Sequence, residues 1–106
     1  MVQSGAHSRK TVEAALKRER TAFAMKVRAA RAILGWSQTD LAERVGMTQR
    51  AIHRIEQGDH DATRSTVVAI EQVWRAEGIE IGDHPEGGIT IKFKNLSIWD
   101  RRKNKN

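Results

Sequence analysis

The chain of 106 residues contains no cysteine. That excludes a disulfide scaffold, a thiolate nucleophile and a cysteine-ligated zinc site, and it fits a cytosolic protein. No apolar run approaches the roughly 20 residues of a membrane span. The N-terminus lacks the apolar core of a signal peptide. A cytoplasmic protein with no membrane partner is therefore expected. The histidines His7, His53, His60 and His84 show no metal-ligand spacing. There is no phosphate-binding P-loop, no HExxH and no nucleophile elbow. No catalytic residue, metal site or cofactor is expected, and "GDHPEGG" at 82–88 reads as a polar loop.

What the chain has instead is positive charge, with a formal net charge of +6. Such a balance favours polyanions as partners: DNA, RNA or an anionic surface. The charge is concentrated at the ends. Residues 1–31 hold Arg9, Lys10, Lys17, Arg18, Arg20, Lys26, Arg28 and Arg31 against Glu13 and Glu19. The tail 100–106 holds Arg101, Arg102, Lys103 and Lys105 against Asp100. Residues 37–58 balance to zero. The ends thus read as phosphate-seeking arms, with Arg101, Arg102 and Lys103 as phosphate contacts.

The length suits one small domain with tails. Such a domain buries a modest core and gains from a partner copy. Residues 1–8 have turn-like composition, and 9–20 are helix-prone. Residues 1–20 form a basic N-terminal extension, partly helical. Thr21 can cap a new helix over 22–34, or the two stretches can run together. Phe23, Val27, Ala30 and Leu34 follow helical spacing, and Gly35 ends that helix. Ser37 opens the next, with Asp40 completing a capping box. Gly46 stops it. Thr48 caps a helix over 49–57, which Gly58 ends. Ser65 can cap a fourth helix, closed by Gly78. Residues 79–99 change period: "IEI" and "ITIKF" alternate as two short strands, and "NLSIW" can extend the second or pack on it.

Segment 49–57 separates into two faces on a helical wheel. Gln49, Arg50, His53 and Arg54 fall within about 140°, and Ala51, Ile52 and Ile55 fall opposite. The apolar side pins the helix to a core that includes Leu41, Ala42, Val45 and Met47. The polar side presents an amide, an imidazole and two guanidiniums. These suit base edges: Arg binds guanine N7 and O6 bidentately, and Gln binds adenine N6 and N7. Trp36 reads as packing at a helix junction. Trp74 reads as core or interface, and Trp99 as a hydrophobic plug.

Gln38, Leu41, Ala42, Gly46, Met47, Thr48, Ile52 and Glu56 to Gly58 stand in the order of a helix-turn-helix unit. With "RAARAILGWSQTDLAERVGMTQRAIHRIEQG", the sequence resembles the phage-repressor-like (Cro/Xre) helix-turn-helix family over about residues 22–78. The resemblance implies a mainly α fold of four to five helices over 21–78, here followed by a short C-terminal β-hairpin. It implies a sequence-specific regulator of transcription, a repressor, binding double-stranded DNA. By position, Gln49, Arg50 and Arg54 would read bases with His53 beside them. Gln38 and Thr48 would contact phosphates, and Gly46 is the turn glycine.

Family members commonly bind as dimers on half-sites about 34 Å apart. After the fourth helix this chain departs from the five-helix pattern. Ile79, Ile81, Ile89, Ile91 and Phe93 could instead pair across a two-fold axis. The alternative is that the hairpin covers the wide apolar arc of the fourth helix (Val67, Val68, Ile70, Val73, Trp74) within one chain. A second functional reading is an antitoxin-type subunit with a toxin partner, which would also repress its own operon.

Overall fold

In a computed structural model, which describes residues 5–58 and 61–94, four helices precede a two-stranded antiparallel hairpin. Helix α1, Gly5–Leu34, runs without a break across the Arg20–Thr21 boundary. Of the two arrangements open in the sequence, the continuous one is found. From Ala6 to Leu34 there is no Gly or Pro, and Thr21 at the boundary costs the helix only about 0.5 kcal/mol. The helix also takes in residues 5–8, against the turn-like reading of that stretch. Once a helix is nucleated, each added residue gains a hydrogen bond.

Gly35 ends α1, and the Trp36 N–H returns to the Arg31 carbonyl at 3.0 Å. Helix α2, Gln38–Val45, then starts at the expected capping box. Ser37 Oγ accepts the Asp40 N–H, and Asp40 Oδ2 accepts the Ser37 N–H, both at 2.9 Å. Gly46 takes the left-handed conformation at φ 82°, and both it and Met47 donate to the Ala42 carbonyl at 2.9 Å. A residue with a Cβ would be strained there. The chain thereby reverses within Gly46 and Met47, and Thr48 caps α3, Gln49–Glu56, by accepting the Ala51 N–H at 3.1 Å.

Helix α4 spans Arg64–Ala76, and its cap is Thr63 rather than Ser65. Both carry a hydroxyl, but the helix begins two residues earlier than Ser65 allows. Thr63 Oγ1 then takes the Thr66 N–H at 3.2 Å. Strands β1, Ile79–Asp83, and β2, Ile89–Phe93, pair in the register Ile79↔Phe93, Ile81↔Ile91, Asp83↔Ile89.

One core joins all of these elements. It comprises Val27, Ala30 and Leu34 of α1, Trp36, Leu41 and Ala42, Ile52 and Ile55, Ile70 and Trp74, and Ile79 and Ile81. Val45 and Met47 pack against it half-buried. Phe23 leans on Trp74 with ring centroids 6.3 Å apart. Strand β1 lies against α1 and α4, so part of the wide apolar arc of α4 is covered from within the chain. Lys26 Nζ ties α1 to Asp83 at the hairpin's tip at 2.9 Å. No described helix is long and apolar enough to cross a membrane.

Candidate nucleic-acid interface

Helix α3 has eight residues, too few to be stable alone in water. Its place is fixed by burial. Ile52 is wholly inaccessible and Ile55 nearly so, each stabilising the packed state by roughly 2 kcal/mol. With that face locked, Gln49, Arg50, His53 and Arg54 are all exposed on the other. The division into two faces that the helical period predicts is therefore present in space.

Beneath the exposed face runs a chain of polar contacts centred on Glu56, the one buried charged residue among the described residues. Arg31 grips it bidentately, Nε to Oε2 at 2.6 Å and Nη2 to Oε1 at 2.8 Å. A third Arg31 bond, Nη1 to the Trp36 carbonyl at 3.0 Å, fixes the α1–α2 junction. Gln38 Nε2 donates to Glu56 Oε1 at 3.0 Å, and Gln49 Nε2 donates to Gln38 Oε1 at 2.6 Å. The order Arg31, Glu56, Gln38, Gln49 thus links α1 through α3 and α2 to the start of the exposed polar face. His53 stands beside this chain, and its ring can accept an amide N–H at only one of its two nitrogens. Its Nδ1 lies 3.5 Å from Gln38 Nε2 and its Nε2 lies 3.4 Å from Gln57 Nε2.

Burial by itself pushes the Glu56 carboxyl upward. The hydrogen bonds from Arg31 and Gln38, with the positive charges of Arg31 and Arg28, outweigh it and hold the group below the ordinary glutamate value. The hydrogen bond to Glu56 in turn raises Arg31. Glu56 is therefore an anion at neutral pH, and the amide chain has one polarity. Gln38 must present N–H to the carboxylate and its oxygen to Gln49.

The remaining expected residues fall into separate groups. Arg50 and Arg54 take no hydrogen-bond or ion-pair partner among the described residues, so no internal bond must break before they meet a ligand. Thr48 caps with its oxygen and keeps a hydroxyl hydrogen to donate. Gln38 has both amide atoms engaged inside the chain. Gly46 sits at the corner as expected. Trp36 is buried at the α1–α2 junction, with the Arg44 guanidinium 4.1 Å from its ring centroid.

Of the residues expected to pair across a two-fold axis, Ile79 and Ile81 turn inward, at 0% and 8% exposure. They belong to this chain's own core and are not free for a partner. Ile89 is half-buried, while Ile91 and Phe93 are exposed. The expected contacts Arg101, Arg102 and Lys103, and also His60, Trp99 and the "NLSIW" extension, lie outside the described residues.

Sequence reasoning missed Arg31 and Glu56 as the residues whose contacts join α1, α2 and α3 beneath the exposed polar face of α3. The available signal was an acid, Glu56, on a helix whose inner positions are otherwise apolar.

A family model described as helix-turn-helix matches residues 27–73, the stretch from mid-α1 through most of α4. No curated protein and no solved structure matches the chain.

Proposed function

We propose that this chain, whose residues 27–73 are a helix-turn-helix domain of the Cro/C1 type and which is thereby a DNA-binding transcription regulator, acts as a repressor. It does so as a homodimer on two half-sites of double-stranded DNA, with α3 in the major groove. The observation that carries this reading is the state of Arg50 and Arg54. Both stand exposed on a helix whose opposite face is locked by Ile52 and Ile55. Gln49 is held beside them by Gln38. A helix of this width fits the groove, and guanidinium groups suit guanine edges.

In this reading Thr48 donates its remaining hydroxyl hydrogen to a phosphate at the shared edge of α2 and α3, and Gln38 does so with the N–H that otherwise faces His53 Nδ1. Contacts of that kind set register and carry no sequence information.

The test is Arg50→Ala. Specific binding should weaken by about 1–3 kcal/mol, with the helical circular dichroism unchanged. Titrations on a selected operator and on random DNA measure it. Equal discrimination in variant and wild type would remove Arg50 from base reading.

A further inference from the structure

The face of the hairpin that carries the isoleucines is only half covered. Paired residues share a face, so Ile79, Ile81, Ile89, Ile91 and Phe93 all project to one side. On that side β1 is buried in the core, whereas Ile91 and Phe93 of β2 are 38% and 48% exposed. Met25 of α1, 49% exposed, lines a shallow cleft with Ile89 and Gly88. An apolar strip therefore runs from Met25 along β2.

The backbone of β2 is open in the same place. Lys94 N–H bonds to the Gly78 carbonyl at 2.9 Å, and His84 N–H to the Gly88 carbonyl at 3.1 Å. In an antiparallel ladder the residues facing the neighbour alternate. Thr90 and Lys92 therefore point their backbone groups at β1, and Ile89, Ile91 and Phe93 point theirs outward. This edge has no proline and no bulge, and its own apolar positions Ile89, Ile91 and Phe93 carry no charge; Lys92 lies on the opposite face, and Asp83 of β1, on the same face beside Ile89, is tied to Lys26. Proline, a bulge and an inward charge are the devices that usually protect an edge.

We infer that this edge pairs with the same edge of a second copy of the chain, β2 against β2, antiparallel and centred on Ile91. The register follows from the residues. Centring on Ile91 sets Ile91 opposite itself and Ile89 opposite Phe93 of the second copy, each pair exchanging two hydrogen bonds. Thr90 then faces Lys92 across the polar side. Sliding the register to centre on Lys92 would set two lysines directly opposite and lose a bonded pair. The product is a four-stranded sheet with one continuous apolar face, where a lone two-stranded hairpin is marginal. This names the interface of the homodimer proposed above and rests on that dimer, but not on base reading by α3.

The experiment uses the full chain in sedimentation velocity at tens of micromolar, with three variants. The wild type should run at twice 12.0 kDa, and Ile91→Asp at the mass of one chain with its helical signal kept. Since the chain has no cysteine, a single introduced thiol reports proximity. Ile91→Cys should become covalently dimeric on mild oxidation, because facing Cα atoms about 5.5 Å apart suit a disulfide. Lys92→Cys should not, because its counterpart is displaced diagonally by about 7–8 Å. If Ile91→Asp unfolds, the two cysteine variants decide. A monomeric wild type would overturn the inference, leaving the edge to residues 95–106 or to another protein. A dimer that survives Ile91→Asp, or a Lys92→Cys variant that crosslinks as readily as Ile91→Cys, would overturn the interface while leaving a homodimer on DNA intact.

Discussion

At the corner between α2 and α3 each helix start finds its cap inside the same chain, and the amides beneath the recognition face find partners there as well. At the hairpin one edge of β2 is paired and the other presents its backbone to solvent. Both regions feed isoleucines into the same core. The difference lies in what remains after that burial. The corner is complete without a partner, so the helix that carries Arg50 and Arg54 is fixed and Gln49 is held by Gln38 with no ligand present. The hairpin is incomplete among the described residues, so its outer strand gains its remaining bonds only from something beyond them. A reading surface benefits from the first condition, because preorganisation lowers the ordering cost of binding. The assembly surface we infer rests on the second.

The comparison breaks most visibly within the hairpin itself. Ile79→Ala removes a side chain with no exposure and should cost about 3–4 kcal/mol. Ile91→Ala, measured on chain dilute enough to be monomeric, should cost less than about 1 kcal/mol. Urea unfolding followed by tryptophan fluorescence gives both numbers. Similar losses would mean that β2 is packed as well as β1, and the open-edge view would fail.

At the corner the corresponding substitution is Arg31→Ala. It strips Glu56 of its bidentate partner and leaves only Gln38. Removing one member of a buried ion pair typically costs about 3–5 kcal/mol. The remaining amide and the ability of Glu56 to take a proton lower the expectation to about 2–3 kcal/mol. The pH dependence carries the sign. Glu56 is depressed in the folded chain below the ordinary value of 4.5, so between those values the unfolded state binds more protons and stability rises with pH. Its contribution is complete above the unfolded value and is lost as pH falls through the folded one. The gap between wild type and variant should accordingly be widest at neutral pH and narrow in acid. Thermal melts from pH 7 down to pH 3 check it. A gap that widened in acid would show that Glu56 is not the partner that matters.

The two regions also differ in how far their sequence could be read. The division of α3 was visible because a helical period and two caps are local properties, and the Ser37 and Gly46 signals are local too. The Arg31–Glu56 pair joins positions 25 apart. Nothing in the period of α1 says which flanking arginine meets an acid on α3. In the hairpin the alternation of "IEI" and "ITIKF" showed that the isoleucines share a face. It could not show that β1 would lie over the core and β2 beyond it. That depends on the tertiary contacts, in which β1 is the strand that lies against both α1 and α4. Ser65 was read as the cap of α4, but Thr63 carries the same hydroxyl and is the residue from which the helix starts.

The smallest effect expected at the corner comes from its turn. Gly46→Ala places a Cβ on a residue at φ +82°, but that Cβ would meet nothing within 4 Å. The cost is then conformational alone, about 1 kcal/mol, equivalent to about 5 °C in Tm for a domain of this size. Capping by Ser37 and Thr48, the Glu56 contacts and the burial of Ile52 and Ile55 are all independent of that atom. The position of α3 should persist, and with it the ratio of operator to random-DNA affinity, while the melting temperature falls. Calorimetry paired with the two titrations measures both. A loss above about 3 kcal/mol, or a collapse of discrimination at unchanged fold, would mean that the turn itself positions the recognition face. The corner would then depend on one residue's backbone, and its self-sufficiency would be no greater than that of the hairpin.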